Sequence, residues 1–348
     1  MRKSYIILLV ALIFIGTGVI FNCLFAVEID WIIGDVKYSH LGKEWREAEV
    51  GLSLFPGDMV KTGEGSEATL TGEDYKIFIS ENTKFTVSER FQDGEKRRSF
   101  MLFLGRIKMK LGKKNITEPE VRTQTVNLTV RGTEFEVASG YDGSSMVVIL
   151  EGAVSVRGKR KELVLEKGEG TEVRFGEEPE KKFKVITKVI DWNEWFKVSK
   201  ESIKGREEEL LGLILEKFDS IISEIKDYEE LRKKALSEKQ VFLEKRDEAL
   251  EKGDEQSASE YTRLAAEKSK IAYHAIVNIR FLALSSIGLF DMSEMIYKGI
   301  EKPSRAIRDI CAAITEKYGY IEKNYLREGD RERLEQKAGR RKGCIKIL

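Results

Sequence analysis

The sequence predicts a mainly-β region followed by an α-helical one: an antiparallel β-sandwich or rolled sheet, then an antiparallel helical bundle. Three observations lead there. From Val27 to about Val189, short runs of alternating apolar residues are separated by glycine-bearing turns, with no helical pattern between them. After Asp191-Trp192 glycine becomes sparse, and Glu, Lys, Leu, Ile and Ala take over. In that second region apolar residues recur at three- and four-residue steps, the spacing of one helix face. The chain of 348 residues therefore divides into a leading apolar segment over 1–26, a β domain over 27–190, a helical region over 199–325 and a basic, solvated tail over 326–348.

Arg2 and Lys3 give the leading segment a positive start, and Tyr5 to Phe21 is free of charge and almost wholly apolar. That is the pattern of an export signal, with Ala26 as a small residue for cleavage. The run also approaches the roughly 20 residues that span a bilayer, which fits a retained inner-membrane anchor over residues 5–26. Cys23 offers a third route, lipid attachment after cleavage, although Ile20-Phe21-Asn22 departs from the small residue usual before a lipidated cysteine. All three put the remainder outside the cytoplasm, in the periplasm, because Arg2 and Lys3 hold the N-terminus inside. Membrane contact is then confined to this segment.

In the β region, Lys76–Ser80 places Ile77 and Ile79 on one face with Phe78 opposite. Arg106–Leu111 puts Ile107, Met109 and Leu111 together and turns Arg106, Lys108 and Lys110 the other way. Val121–Val137 (VRTQTVNLTVRGTEFEV) reads as two strands meeting at a kink after Arg131. In the helical region Leu211, Ile214, Phe218, Ile221, Ile225 and Tyr228 form one stripe close to a coiled-coil seam. That first helix, over 203–250, continues to Leu250 before Gly253-Asp254 and offers a homodimer interface. Ser257 with Glu260 forms a capping box for a second helix running to about Leu289. Asp291 with Glu294 opens a third segment, interrupted by Gly299 and Pro303.

Composition excludes several classes of function. Charged residues make up 34%, yet the formal net charge is only +1, without the basic excess of a nucleic-acid binder. The three cysteines, Cys23, Cys311 and Cys344, and the two histidines, His40 and His274, match no metal spacing. His274 sits in an apolar stretch and reads as a core residue, and Cys311 as an inert thiol on a buried helix face. No nucleophile, P-loop or zinc-protease motif occurs, so no catalytic residue, metal or cofactor is expected.

The fixed points of the β region resemble the FecR domain, named after a periplasmic iron-citrate sensor. They are Ile33-Gly34-Asp35-Val36; LFPGDMVKTGEGSEATL with Gly57, Asp58, Thr62 and Gly63; the strand after Gly105; and Val130-Arg131-Gly132-Thr133 with Phe135 and Val137. Glu151-Gly152-Ala153-Val154 and Leu165–Glu169, with Gly168, close the series. In this order, over about 29–175, they make a specific match that leaves 199–348 unaccounted for. The resemblance implies an extracytoplasmic β fold. The iron-citrate sensor is similar in having one membrane span, but it acts on a sigma factor through a cytoplasmic segment. Only Met1–Ser4 precede the apolar run here, so sigma-factor regulation is not carried over.

Two roles compete for the motif residues. Arg131 beside Gly132 offers a guanidinium to a carboxylate or phosphate; alternatively Gly132 makes a bulge and Arg131 pairs with a nearby acid. Asp58 lacks the further acids of a calcium site and reads as a turn former. The function expected is a non-enzymatic binding or scaffolding role on an envelope protein or cell-wall component. The alternative is a transmembrane signalling relay that senses an outer-membrane partner through a separate membrane protein.

Overall fold

The computed structural model describes residues 27–112, 119–185 and 190–326. The apolar segment with Cys23, the Arg131 side chain and the tail beyond Leu326 with Cys344 lie outside the described residues.

Among the described residues fifteen strands come first: β1 Val27–Ile33, β2 Val36–His40, β3 Arg46–Glu47, β4 Ser53–Leu54, β5 Asp58–Thr62, β6 Glu67–Thr71, β7 Tyr75–Ile79 and β8 Lys84–Gln92. Then follow β9 Glu95–Leu111, β10 Glu120–Arg122, β11 Asn127–Ser139, β12 Ser145–Arg157, β13 Glu162–Glu166, β14 Glu169–Val173 and β15 Phe183–Lys184. They form one hydrogen-bonded network in the order β15-β14-β12-β11-β10-β9-β7-β6-β1-β4. β13 joins β12, and a second limb, β3-β2-β5-β8, joins at β9. β10 runs parallel to β9, with Ser99 opposite Glu120, which the sequence reading of an antiparallel sheet did not anticipate.

β9 is the strand the network turns on. Its first part pairs with β8 through the tight hairpin Asp93-Gly94, where both residues have positive φ (53° and 78°) as a type I′ turn requires. Its last part, Ile107–Leu111, pairs with β7 on one side and β11 on the other. The change of neighbour falls at Gly105 (φ +94°), where a Cβ would stand 2.5 Å from the Thr83 Cα. Ile29, Leu70, Ile77, Phe85, Phe100, Phe135 and Leu165, drawn from every limb, bury in one shared core. The alternation expected over Ile77–Ile79 and Ile107–Met109 is present, both members of each pair being buried there.

The bulge expected at Gly132 is present, but the junction between the two strands lies earlier. Thr123 breaks the chain: its hydroxyl accepts from the Thr125 and Val126 amides at 3.1 and 3.0 Å, which ends β10 and starts β11. Gly132 lies inside β11, where the pairing with β12 shifts register between Arg131 and Glu134.

Among the described residues four helices follow: α1 Trp192–Glu201, α2 Glu207–Glu251, α3 Glu255–Lys298 and α4 Arg305–Tyr325. Helix thus starts at Trp192, ahead of the expected 199. Asp254, not Ser257, caps α3: its carboxylate accepts the Ser257 amide at 3.0 Å. α3 runs on through Leu289 and Asp291 to Lys298, so no third segment opens at Asp291. The break comes at Gly299, and Ser304 caps α4 with Pro303 outside it. Leu326, assigned from sequence to the tail, is buried against α4's partners.

The helices share a core with the sheet. Leu211, Ile214, Phe218, Ile221 and Ile225 of α2 bury with Leu282, Ile287 and Met292 of α3, Ile314 of α4, and Met59, Met101 and Phe103 from the strands. The expected seam is therefore consumed inside the molecule. α3 has a window apolar enough to cross a membrane, but 72% of that window is buried within the protein. A third cluster seats α1 on the sheet, Trp192, Trp195 and Phe196 packing over Ala138, Met146 and Val148. Asn278 of α3 pins the far end of β8, donating to the Phe91 carbonyl at 3.0 Å and accepting its amide at 2.8 Å. His274 stacks on Phe91 with centroids 3.6 Å apart, and burial lowers its pKa. Cys311 is half-buried, and burial raises its pKa.

Candidate functional site

Where the β5 end faces α3, the surface opens into a cleft of about 530 Å³. The sheet side is Lys61-Thr62-Gly63 and Asn82-Thr83-Lys84. The helix side is Gly288, Asp291, Met292 and Met295, and Phe103 and Tyr141 close the ends.

Local hydrogen bonding explains the sheet side. The Thr62 hydroxyl donates to the Ser80 carbonyl at 2.6 Å and accepts the Thr83 amide at 3.0 Å. The Gly63 amide donates to Asp35 O at 2.9 Å, and its carbonyl accepts from Asn82 N at 3.1 Å. Thr62-Gly63 therefore ties three chain segments into one rim. Asn82 holds a left-handed φ of 51°, which asparagine tolerates better than most residues.

The helix side approaches closely because Gly288 has no side chain. A Cβ there would stand 2.3 Å from the Phe103 ring and 2.2 Å from Gln124 Nε2. One turn on, Asp291 accepts from Lys84 Nζ at 2.5 Å across the cleft, and the same ammonium lies 5.5 Å from the Trp45 ring centroid. Lys61 is exposed on the rim. The cleft thus combines apolar surface from Phe103, Met292 and Met295 with the Lys61 ammonium, the Asp35 carboxylate and one cross-wall ion pair. Methionines adapt to varied shapes, so the arrangement suits an amphipathic ligand or peptide segment. Both threonine hydroxyls are committed to backbone groups, Thr83 Oγ1 accepting from Arg106 N at 3.0 Å.

The other motif residues lie elsewhere. Asp58 is fully buried, and one carboxylate oxygen is 2.8 Å from His40 Nδ1 while the other accepts the Phe55 amide at 2.9 Å. Gly57 (φ +101°) lets this corner meet α3, since a Cβ would stand 3.1 Å from His40 and 3.3 Å from Arg280. Gly132, Thr133 and Gly152 come together at the β11–β12 bulge. Gly152 (φ +76°) leaves the space that Thr133 fills, a Cβ there falling 2.4 Å from Thr133 Cγ2. Phe135 is wholly buried. The Gly168 turn (φ +78°) is held by its amide on the Ile149 carbonyl at 2.9 Å. Of the motif stretches, Asp35, Lys61, Thr62 and Gly63 line the cleft. Asp291, Met292 and Met295 were missed in the sequence, because nothing local links residue 84 to residue 291.

These features define a β-rich scaffold completed by long helices, with the family motifs serving mainly as joints. Residues 58–155 match the family described as FecR protein, and the chain carries a FecR domain over that span. Two crystal structures of a proposed anti-sigma factor from Parabacteroides distasonis ATCC 8503, at 1.65 and 2.50 Å resolution, align with it. Each shares 19% identity at a TM-score of 0.32, over 36% of this chain and 59% of the other. The chain thus spans less than two thirds of those proteins. No curated protein matches it.

Proposed function

We propose that this is an exported envelope protein whose FecR domain and helices together form a non-enzymatic binding module, with the ligand seated in the cleft between β5 and α3. The observation that carries this reading is that cleft, which joins the family's Thr62-Gly63 rim to an apolar, methionine-lined helix face. The rolled sheet and the helical part act as one scaffold, anchored or released according to the fate of residues 5–26. The partner is an envelope protein or cell-wall component. A homodimer through 203–250 would use the distal part of α2, where Leu231, Leu236, Val241 and Leu250 are exposed.

A second reading, favoured by the family match over 58–155, is a signalling relay in which the cleft senses an outer-membrane partner and a separate membrane protein carries the output. One experiment addresses both. A photoreactive side chain at Lys61, activated in intact cells, should capture an envelope component, and the relay reading requires that component to be an outer-membrane or signalling protein. Capture of cytoplasmic proteins alone would overturn the location and both roles.

A further inference from the structure

β10 meets α2 and α3 around a second, smaller cavity of about 60 Å³, lined by Arg90, Arg122, Glu224, Tyr228, Asn278 and Phe281 among others. On the measure by which one water needs about 10–15 Å³, this space holds several waters or one small ion. The charges around it are unevenly matched. Arg90 is paired, its Nε lying 2.6 Å from the buried Glu120 carboxylate and its Nη2 donating to Gln92 at 2.6 Å. Arg122 donates through Nε to the Asn127 side chain, and its guanidinium carbon lies 4.7 Å from the Phe281 centroid. Among the described residues no carboxylate forms an ion pair with it. Lys217, the next cation along the interface, donates to the Gln124 carbonyl at 2.8 Å and lies 5.2 Å from the Phe175 ring centroid.

Charges at a sheet–helix interface are ordinarily paired, since an enclosed cation without an ion-pair partner is disfavoured in an apolar setting. Burial pushes the Arg122 pKa down, Arg90 pushing the same way against Glu120 and Glu224. Burial also pushes Lys217 down to about 8, with Arg122 and Lys159 adding repulsion. Glu224 is the one acid on the cavity wall, and it is exposed, its Oε1 taking the Ser220 hydroxyl at 3.4 Å. The Arg122 guanidinium, which lines the cavity, is the planar fork that matches two oxygens of a tetrahedral anion.

We propose that this cavity is an oxyanion site, taking a phosphate or sulfate group against the Arg122 guanidinium, with Glu224 at the mouth opposing entry. The site is separate from the cleft and does not depend on its role. The test is calorimetric titration of the full-length chain with sodium phosphate, then sodium sulfate, at constant ionic strength. Saturable binding is expected, weakened roughly tenfold or more in Arg122→Gln, as the loss of hydrogen bonds to a charged group implies. Glu224→Gln, on the exposed mouth, should tighten binding roughly threefold by removing repulsion. Bound phosphate should also slow acetylation of Lys217 at pH 8, followed by mass spectrometry, because the anion raises its pKa. Absence of saturable binding, or equal binding by Arg122→Gln, would overturn the proposal. If Arg122→Gln fails to fold, unchanged affinity in Glu224→Gln does the same.

Discussion

Replacing Gly152 with alanine should destabilise the protein far more than the same change at Gly132, although Gly132 is the glycine the sequence draws the eye to. Both residues have positive φ, +76° and +53°. That conformation costs an L-residue about 1–2 kcal/mol at either place. The surroundings differ. A Cβ on Gly132 meets nothing within 4 Å, whereas on Gly152 it would lie 2.4 Å from Thr133 Cγ2 and 3.0 Å from the Gly132 carbonyl oxygen. Thr133 is only 2% exposed and cannot swing away. Overpacking of this kind adds about 1–3 kcal/mol. Gly152→Ala should therefore cost about 2–5 kcal/mol and Gly132→Ala about 1–2 kcal/mol, both summed from those two contributions. The assay is urea denaturation, read as a shift in midpoint at unchanged slope. Thr133→Ser removes the methyl group in the way, so in that background the cost of Gly152→Ala should fall by about 1–3 kcal/mol, a coupling a double-mutant cycle isolates. Equal costs at the two glycines, or no coupling to Thr133, would refute the reasoning. It would also remove the explanation offered for the motif's two glycines and threonine.

Other outcomes follow from the same geometry. Asn278→Ala leaves the Phe91 amide and carbonyl without the partners at 2.8 and 3.0 Å and should cost about 1–3 kcal/mol in the same denaturation assay. Glu134 is held below its ordinary carboxylate pKa, chiefly by the hydrogen bond from Lys108 with Lys110 alongside. Its contribution is full above the unfolded value near 4.3 and is lost as pH falls through the lower folded value, so Glu134→Gln should flatten the acid limb of the stability–pH curve. A mutant curve that keeps the wild-type acid limb would show that this ion-pair group is inert. A chain ending at Asp191 would uncover Met59, Met101, Phe103 and Phe175. It should aggregate or bind a hydrophobic dye, whereas a soluble monomer with native near-ultraviolet dichroism would show that the sheet does not need the helices.

Much of the fold could be read in the residues, and the places where reading failed share a cause. Arg106–Leu111 alternates because one face of β9 is core and the other carries Arg106 and Lys108, paired with Glu136 and Glu134 at 3.0 and 2.5 Å. A few residues earlier, Ser99-Phe-Met-Leu-Phe-Leu104 loses the alternation. Phe100 and Leu102 bury in the sheet's own core while Met101 and Phe103 bury under the helices. Strands covered on both faces read as continuous apolar runs, so that stretch was itself the trace of helices packing on the sheet. The stripe Leu211–Tyr228 looked like an open seam because periodicity gives a face and not its occupant. Asp291 resembled a helix start because acids favour that position; it lies inside α3 instead, its carboxylate taken by Lys84 from 207 residues away. The cleft was illegible for the same reason, since its two walls are distant in sequence. Gly57, Asp58, Gly132 and Gly152 announced the family, and the structure gives them joints and close approaches to make.

Amide hydrogen exchange on the intact protein tests most directly the central idea that helices and sheet form one cooperative unit around the cleft. β9 over residues 100–104 and α3 over residues 281–289 should open together, with the same free energy, set by global unfolding. Exchange of the α3 amides at low denaturant while those of β9 stay protected would contradict it, and the cleft would lose its permanent second wall.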